Sequence, residues 1–192
     1  YQVFKMAVKN FWALTPSEAI VAWELQQRGF HVFFPTKDVG VDLMVLQELN
    51  KARRRPITIQ VKGSRFWNWK DALGGYGGWF KFRRDKLRKD LKIVDFYIFV
   101  LFHTKPSKTG YEKFGRDFFI IPTEELDEKI EHYHKGGDMV NIYLRIFKYK
   151  GEQKVIDYRG VSKKNCEEAL SDPWRDYSSY LNRWEKLKNL KV

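Results

Sequence analysis

The chain has 192 residues, 43% hydrophobic and 17% aromatic, which is ample for one buried core of ordinary domain size. Its 36 lysines and arginines against 24 acids leave a net charge of +12, a balance that favours polyanionic partners, the alternative being a generally basic, solvated surface. No run approaches the roughly 20 apolar residues of a membrane span, so no membrane partner is expected.

In chain order, the first predicted element is a helix over about 16–28. Thr15 reads as its N-cap, Pro16 suits the first helical position, and Glu18 completes a capping box. Gly29 supplies the stop. Phe30–Phe34 reads as a short strand ended by Pro35. Two further strands are expected over about 41–47 and 57–62, joined by a polar, basic connector. Trp67 to Trp79 surrounds a run of glycines and reads as a mobile loop. The strongest strand is Ile93–Phe102, whose near-continuous apolar character predicts burial on both faces. Phe118–Ile121 reads as a strand, 122–134 as a helix, and Val140–Lys148 as another strand. Trp174, Tyr177, Leu181, Trp184, Leu187 and Leu190 have helical spacing, so a packing helix is expected over 172–191. The order indicates an α/β or α+β fold with a mixed sheet. Residues 1–160 would form the main domain, with 161–192 as a helical extension packed on it. No basic segment followed by an apolar run opens the chain, so no secretory leader is expected. The lone Cys166 allows no internal disulfide, which fits a cytoplasmic protein.

The chemistry concentrates in G-V-D-L at Gly40–Leu43 and I-Q-V-K at Ile59–Lys62. Alternate strand residues share a face, so Gln60 and Lys62 project together. If the two runs pair as a hairpin, Asp42 lies beside them. A carboxylate, an amide oxygen and a lysine suit hydrolysis of a phosphodiester by a divalent metal. Asp42 and Gln60 would hold Mg2+, for which Mn2+ substitutes, and the backbone carbonyl of Val61 lies within reach. Glu18 would bind the metal directly or through a water, and Lys62 would orient the attacking water or stabilise the pentavalent phosphate. The plainer alternatives are a capping glutamate, a strand-opening aspartate and a solvent-facing pair on an edge strand.

Phosphate contacts are expected from two basic clusters that flank the motif. One contains Arg53 and Arg54; the other, between Lys81 and Lys92, contains Arg83 and Arg84. Arg65 and Lys70, interleaved with Trp67, Trp69, Tyr76 and Trp79, would add contacts to DNA if those aromatics stack on bases; the alternative is that they fill a satellite core. His132 and His134 do not share a helical face, Cys166 lacks a histidine partner, and Gly74–Gly78 lacks the ending of a P-loop.

The string S-E-A-I-V-A-W-E-L-Q-Q-R-G, followed by G-V-D-L and I-Q-V-K, resembles the PD-(D/E)XK nuclease superfamily, which includes restriction endonuclease-like enzymes and archaeal-type Holliday-junction resolvases. Glu18, Asp42, Gln60 and Lys62 occupy its motif positions in order. The resemblance covers about 15–121 and extends to Asp95 before the apolar strand. It implies a restriction endonuclease-like core, a central mixed sheet flanked by helices, and a Mg2+-dependent deoxyribonuclease acting on duplex or branched DNA, with a homodimer for cutting both strands. Val41 replaces the proline of the usual pair, and Gln60 replaces its second acid. The resulting Q-x-K pattern is similar to that of certain methylation-dependent restriction enzymes and homing endonucleases, and it leaves the site one negative charge poorer. Two other classes stay open: a nucleic-acid-binding module that has lost its chemistry, and a protein-interaction subunit.

Overall fold

The computed structural model describes residues 14–36, 40–47, 55–68, 74–106, 112–134, 136–162 and 165–188. Its elements are α1 (Pro16–Gln27), β1 (His31–Phe33), β2 (Leu43–Leu46), β3 (Ile57–Asn68), β4 (Tyr76–Arg83), α2 (Arg84–Asp90), β5 (Phe96–Pro106), β6 (Glu112–Pro122), α3 (Thr123–Tyr133), β7 (Met139–Tyr149), β8 (Glu152–Asp157) and α4 (Cys166–Ser171). Two 3-10 turns, Ser178–Tyr180 and Trp184–Lys188, follow.

The fold is α+β. A mixed central sheet runs β1-β2-β3-β5-β6, with β3 and β5 parallel and every other pair antiparallel. The strands β4, β7 and β8 form a second antiparallel sheet. The last residues of β3, from Phe66 to Asn68, pair with Gly78 to Tyr76 and so join the two sheets. On one face of the central sheet, Val21 and Leu25 of α1 pack against Ile59, Val61, Ile98 and Val100. On the other, Tyr97, Phe99 and Leu101 meet Phe80, Phe82, Ile142 and Leu144 of the second sheet. Phe80 stacks on Phe99 with ring centroids 4.5 Å apart, and each such buried ring contributes about 1.5–3 kcal/mol. Both faces of β5 are therefore covered, as its apolar run predicts.

Local chemistry explains the well-placed elements. Thr15 and Glu18 exchange the two capping-box hydrogen bonds, Glu18 N–H to Thr15 Oγ1 (3.2 Å) and Thr15 N–H to Glu18 Oε2 (3.1 Å). Three expectations need correction. The segment Trp67–Trp79 is not a loop throughout, because β3 runs to Asn68 and β4 starts at Tyr76. Gly78 serves close approach: a Cβ there would lie 2.7 Å from Leu101 Cδ1 and 2.8 Å from Ser64 Oγ. The apolar strand starts at Phe96 rather than Ile93, since the N–H groups of Ile93 and Val94 turn back to the carbonyl of Asp90 (2.9 and 2.7 Å). Finally, the expected helix over 172–191 is broken at Asn182, which takes φ +56°, and the described part contains only 3-10 turns.

That C-terminal segment nonetheless completes the core. Trp184 and Leu187 pack into the cluster under α1, Leu181 bridges to Phe119, and Lys129 Nζ donates to the carbonyls of Pro173 (3.0 Å) and Asp176 (2.9 Å). Among the described residues no helix is long and apolar enough to cross a membrane.

Candidate active site

The two motif strands do pair as β2 and β3, with Leu43 opposite Ile59. Asp42 N–H donates to the Ile59 carbonyl at 2.9 Å, and there the ladder ends. The next N–H on that edge of β3, that of Val61, donates instead to Asp42 Oδ2 at 2.8 Å. The Asp42 side chain thus takes the place of a missing backbone partner. In an extended strand the N–H and C=O of one residue point to the same edge, so the Val61 carbonyl is also directed to this splayed edge.

Gln60 and Lys62 lie on the face of β3 opposite Ile59 and Val61. Gln60 is buried, donating through Nε2 to Asp42 Oδ2. Its Oε1 accepts from Lys86 Nζ at 2.7 Å. Lys86 in turn pairs with Asp90 one helical turn later (2.9 Å), and Asp90 accepts from the Tyr97 hydroxyl. A continuous chain of hydrogen bonds therefore runs from Asp42 through Gln60, Lys86 and Asp90 to Tyr97. Burial, aided by the Asp90 carboxylate, pushes the Tyr97 hydroxyl well above its ordinary value and keeps it a donor. Burial also lowers the pKa of Lys62; Asp42 opposes this most strongly, Lys86 reinforces it, and Asp90 and Glu18 oppose it more weakly.

A cleft of about 460 Å3 opens at this edge, and Glu18, Asp42, Gln60, Val61 and Lys62 all line it. Glu18 reaches it because α1 sits almost on the backbone of β3. A Cβ on Gly63 would overlap Ser17 Oγ and come within 3.0 Å of Ser17 Cβ. Glu18 is therefore both the capping residue and a wall of the cleft.

Hard oxygen donors of this kind are what Mg2+ takes. Two carboxylates, an amide and a main-chain carbonyl share the cleft. Among the described residues no three His, Cys, Asp or Glu side chains cluster as a metal site, so this mixed set is the candidate. Asp42 and Glu18 bring carboxylates to the cleft, with Asp42 Oδ2 already accepting from Val61 N–H and Gln60 Nε2 and Glu18 Oε2 from Thr15 N–H, so an ion would compete with these bonds. Gln60 offers an oxygen only by turning its amide over, which means exchanging its bond with Lys86.

No family model matches the chain, and no solved structure matches it. A stretch of 80 residues, 42% of this chain, is 30% identical to the GTPase Obg of Malacoplasma penetrans and covers 17% of that protein's length. The 192-residue sequence contains no G-x-x-x-x-G-K-[ST] string.

Of the residues expected to contact DNA, Arg53, Arg54 and Lys70 lie outside the described residues, and Arg65 belongs to β3. Arg83 is exposed, held by Asp85 at 2.8 Å. Arg84 is committed elsewhere: its guanidinium donates to Glu131 at 2.6 Å and to the His134 carbonyl, tying α2 to α3. Arg84→Ala is expected to destabilise the fold by about 1–3 kcal/mol, a melting temperature lower by about 3–10 °C. DNA affinity should change less than about twofold, checked by thermal melts beside anisotropy titrations. Asp95 is also structural, bound by Arg55 (2.7 Å) and by the Thr58 N–H (2.8 Å), which pins the start of β5 to β3. His132 stacks on Trp174 while His134 faces Asp157 at 3.1 Å, so the two do not form one site. Sequence reasoning missed Lys86, Asp90 and Tyr97; the Lys86–Asp90 spacing of four was the readable signal.

Proposed function

We propose that this chain is a Mg2+-dependent DNA endonuclease that hydrolyses phosphodiester bonds in the cleft at the β2–β3 edge. The observation that supports it best is the convergence of Glu18, Asp42, Gln60 and Lys62 on one cleft, beside the Val61 carbonyl. In this reading Asp42, Gln60 and the Val61 carbonyl hold the ion, with Glu18 binding directly or through a water. A bound Mg2+ or Mn2+ supplies charge neutralisation for the scissile phosphate and acidifies a water. Lys62 contributes an ammonium in a partly desolvated setting, where it orients the water or offsets the charge that builds on phosphorus. Cutting both strands requires two sites, which a homodimer provides.

Asp42→Ala and Lys62→Ala are each expected to lower the nicking rate at least about 100-fold. The assay is Mg2+- or Mn2+-dependent nicking of plasmid, junction and single-stranded DNA. A wild-type protein that cuts none of these would sink the enzyme reading.

The Lys86 bond favours a second reading. With its carboxylate satisfied by Gln60 and Val61, and Gln60 satisfied by Lys86, the site is self-sufficient without an ion. A module of this kind would bind nucleic acid by its basic surface without cutting it. It would do so with a slope near −4.5 in log K against log salt for about five phosphate contacts.

A further inference from the structure

The outer face of the second sheet carries aromatic and basic residues that the cleft chemistry does not use. Along β4, Phe80 and Phe82 point into the core while Trp79, Lys81 and Arg83 point out. Register sets Trp79 opposite Tyr143 and Lys81 opposite Asn141 on β7. The Trp79 and Tyr143 rings lie parallel with centroids 5.8 Å apart. The indole is fixed, because Trp79 Nε1 donates to Asn141 Oδ1 at 3.0 Å. Trp79 is nevertheless 41% exposed. Lys81 Nζ lies 5.8 Å from the indole centroid, and Arg83, next on this face of β4, is solvent-exposed and paired with Asp85 at 2.8 Å.

We propose that this face binds an unpaired DNA strand, with Trp79 and Tyr143 stacking on bases and Lys81 and Arg83 meeting phosphates. Three considerations select that occupant. Rings fixed in parallel planes offer flat surfaces at little ordering cost, and every base has a π-face to match them. In a duplex those faces are already covered by neighbouring pairs, so only an unpaired strand can use the rings. Of the flanking groups, Lys81 is cationic, as a phosphate backbone requires, and Arg83 would have to exchange its ion pair with Asp85 (2.8 Å) for a phosphate. An acidic peptide would satisfy the cations and leave the ring planes idle.

Position links this face to the cleft. The Trp79 N–H donates to Ser64 Oγ at 2.9 Å, and Ser64 lines the cleft two residues beyond Lys62. A strand that leaves the cleft past Ser64 and crosses to the outer face of β4 would meet the Trp79 ring. The preferred substrate would then carry a single-stranded portion beside the cut, as a branch or flap does; this extension rests on the nuclease reading, whereas strand binding does not.

The test is fluorescence anisotropy with a labelled 20-mer oligothymidine and a blunt 20-base-pair duplex, without divalent metal. Trp79→Ala should weaken oligothymidine binding about tenfold or more and duplex binding less than about twofold, while Trp79→Phe recovers most of the loss. Lys81→Ala should reduce the salt slope for oligothymidine by about 0.7. The proposal is overturned if Trp79→Ala leaves oligothymidine affinity unchanged or weakens both DNAs equally. It is also overturned if poly-L-glutamate displaces the oligonucleotide at equal charge concentration, which would mark an acidic protein as the partner. The nicking assay runs separately, so loss of the nuclease reading and loss of this one are told apart.

Discussion

Gln60→Glu is expected to tighten Mn2+ binding by about tenfold or more and, in the same protein, to destabilise the metal-free state. The two effects have one origin. In the present site Gln60 Nε2 donates to Asp42 Oδ2. A glutamate at this position removes that donor and sets a second carboxylate against the first. Lys86, 2.7 Å from the amide oxygen, compensates in part, and the Val61 N–H stays on Asp42. A net cost of about 1–3 kcal/mol follows for the metal-free protein, or a melting temperature lower by about 3–10 °C. A cation between the two carboxylates reverses the sign. An added unit charge about 4 Å from a divalent cation is worth about 8 kcal/mol at an effective dielectric of 20 before desolvation is counted, so the tenfold gain, about 1.4 kcal/mol, is a conservative expectation. Thermal melts with chelator and with Mn2+ read both halves. If Mn2+ raises the melting temperature of neither wild type nor variant, the metal proposal is wrong. If the variant melts like wild type in chelator, the Asp42–Gln60 bond is not what holds the empty site together.

Gly63→Ala is expected to disable the site without touching any of its chemical groups. The new Cβ would overlap Ser17 Oγ, which can rotate aside, but it would also lie 3.0 Å from Ser17 Cβ, which the first turn of α1 holds against the strand. Overpacking of this kind costs about 1–3 kcal/mol. The relief available is for α1 to lift, which carries Glu18 away from Asp42 and Lys62. Nuclease activity should therefore fall further than stability does. Ser17→Gly in the same chain removes both offending atoms and should recover at least half of the lost stability, a coupling of about 0.5–3 kcal/mol. Additive effects in that double-mutant cycle would refute the contact.

Much of this was legible in the sequence wherever local chemistry decides local structure. The capping box needed only Thr15, Pro16 and Glu18, and β5 needed only its apolar run. The pairing of β2 with β3 followed from two short runs and a polar connector. What stayed hidden depends on distant neighbours. The helix α2 carries charged residues around a single buried apolar anchor, Leu87, so it shows no period to read. Lys86 faces Gln60 only because the second sheet folds over β3, a relation 26 residues apart in the chain. Gly77 and Gly78 signal a loop by composition, yet at Gly78 the missing side chain leaves room for Leu101 and Ser64. Trp184 and Leu187 satisfy helical spacing and 3-10 spacing alike; the backbone at Asn182 decides between them.

The strand β3 belongs to both sheets, and that has a consequence for how such a protein can change over time. Twelve consecutive residues support two layers and also present Gln60, Val61 and Lys62 to the cleft. Changes in the core and changes in the chemistry therefore fall on the same short segment and cannot drift independently. A lineage that lost whatever chemistry the cleft carries would still be obliged to keep this strand nearly intact. The shape of the cleft would outlast its activity.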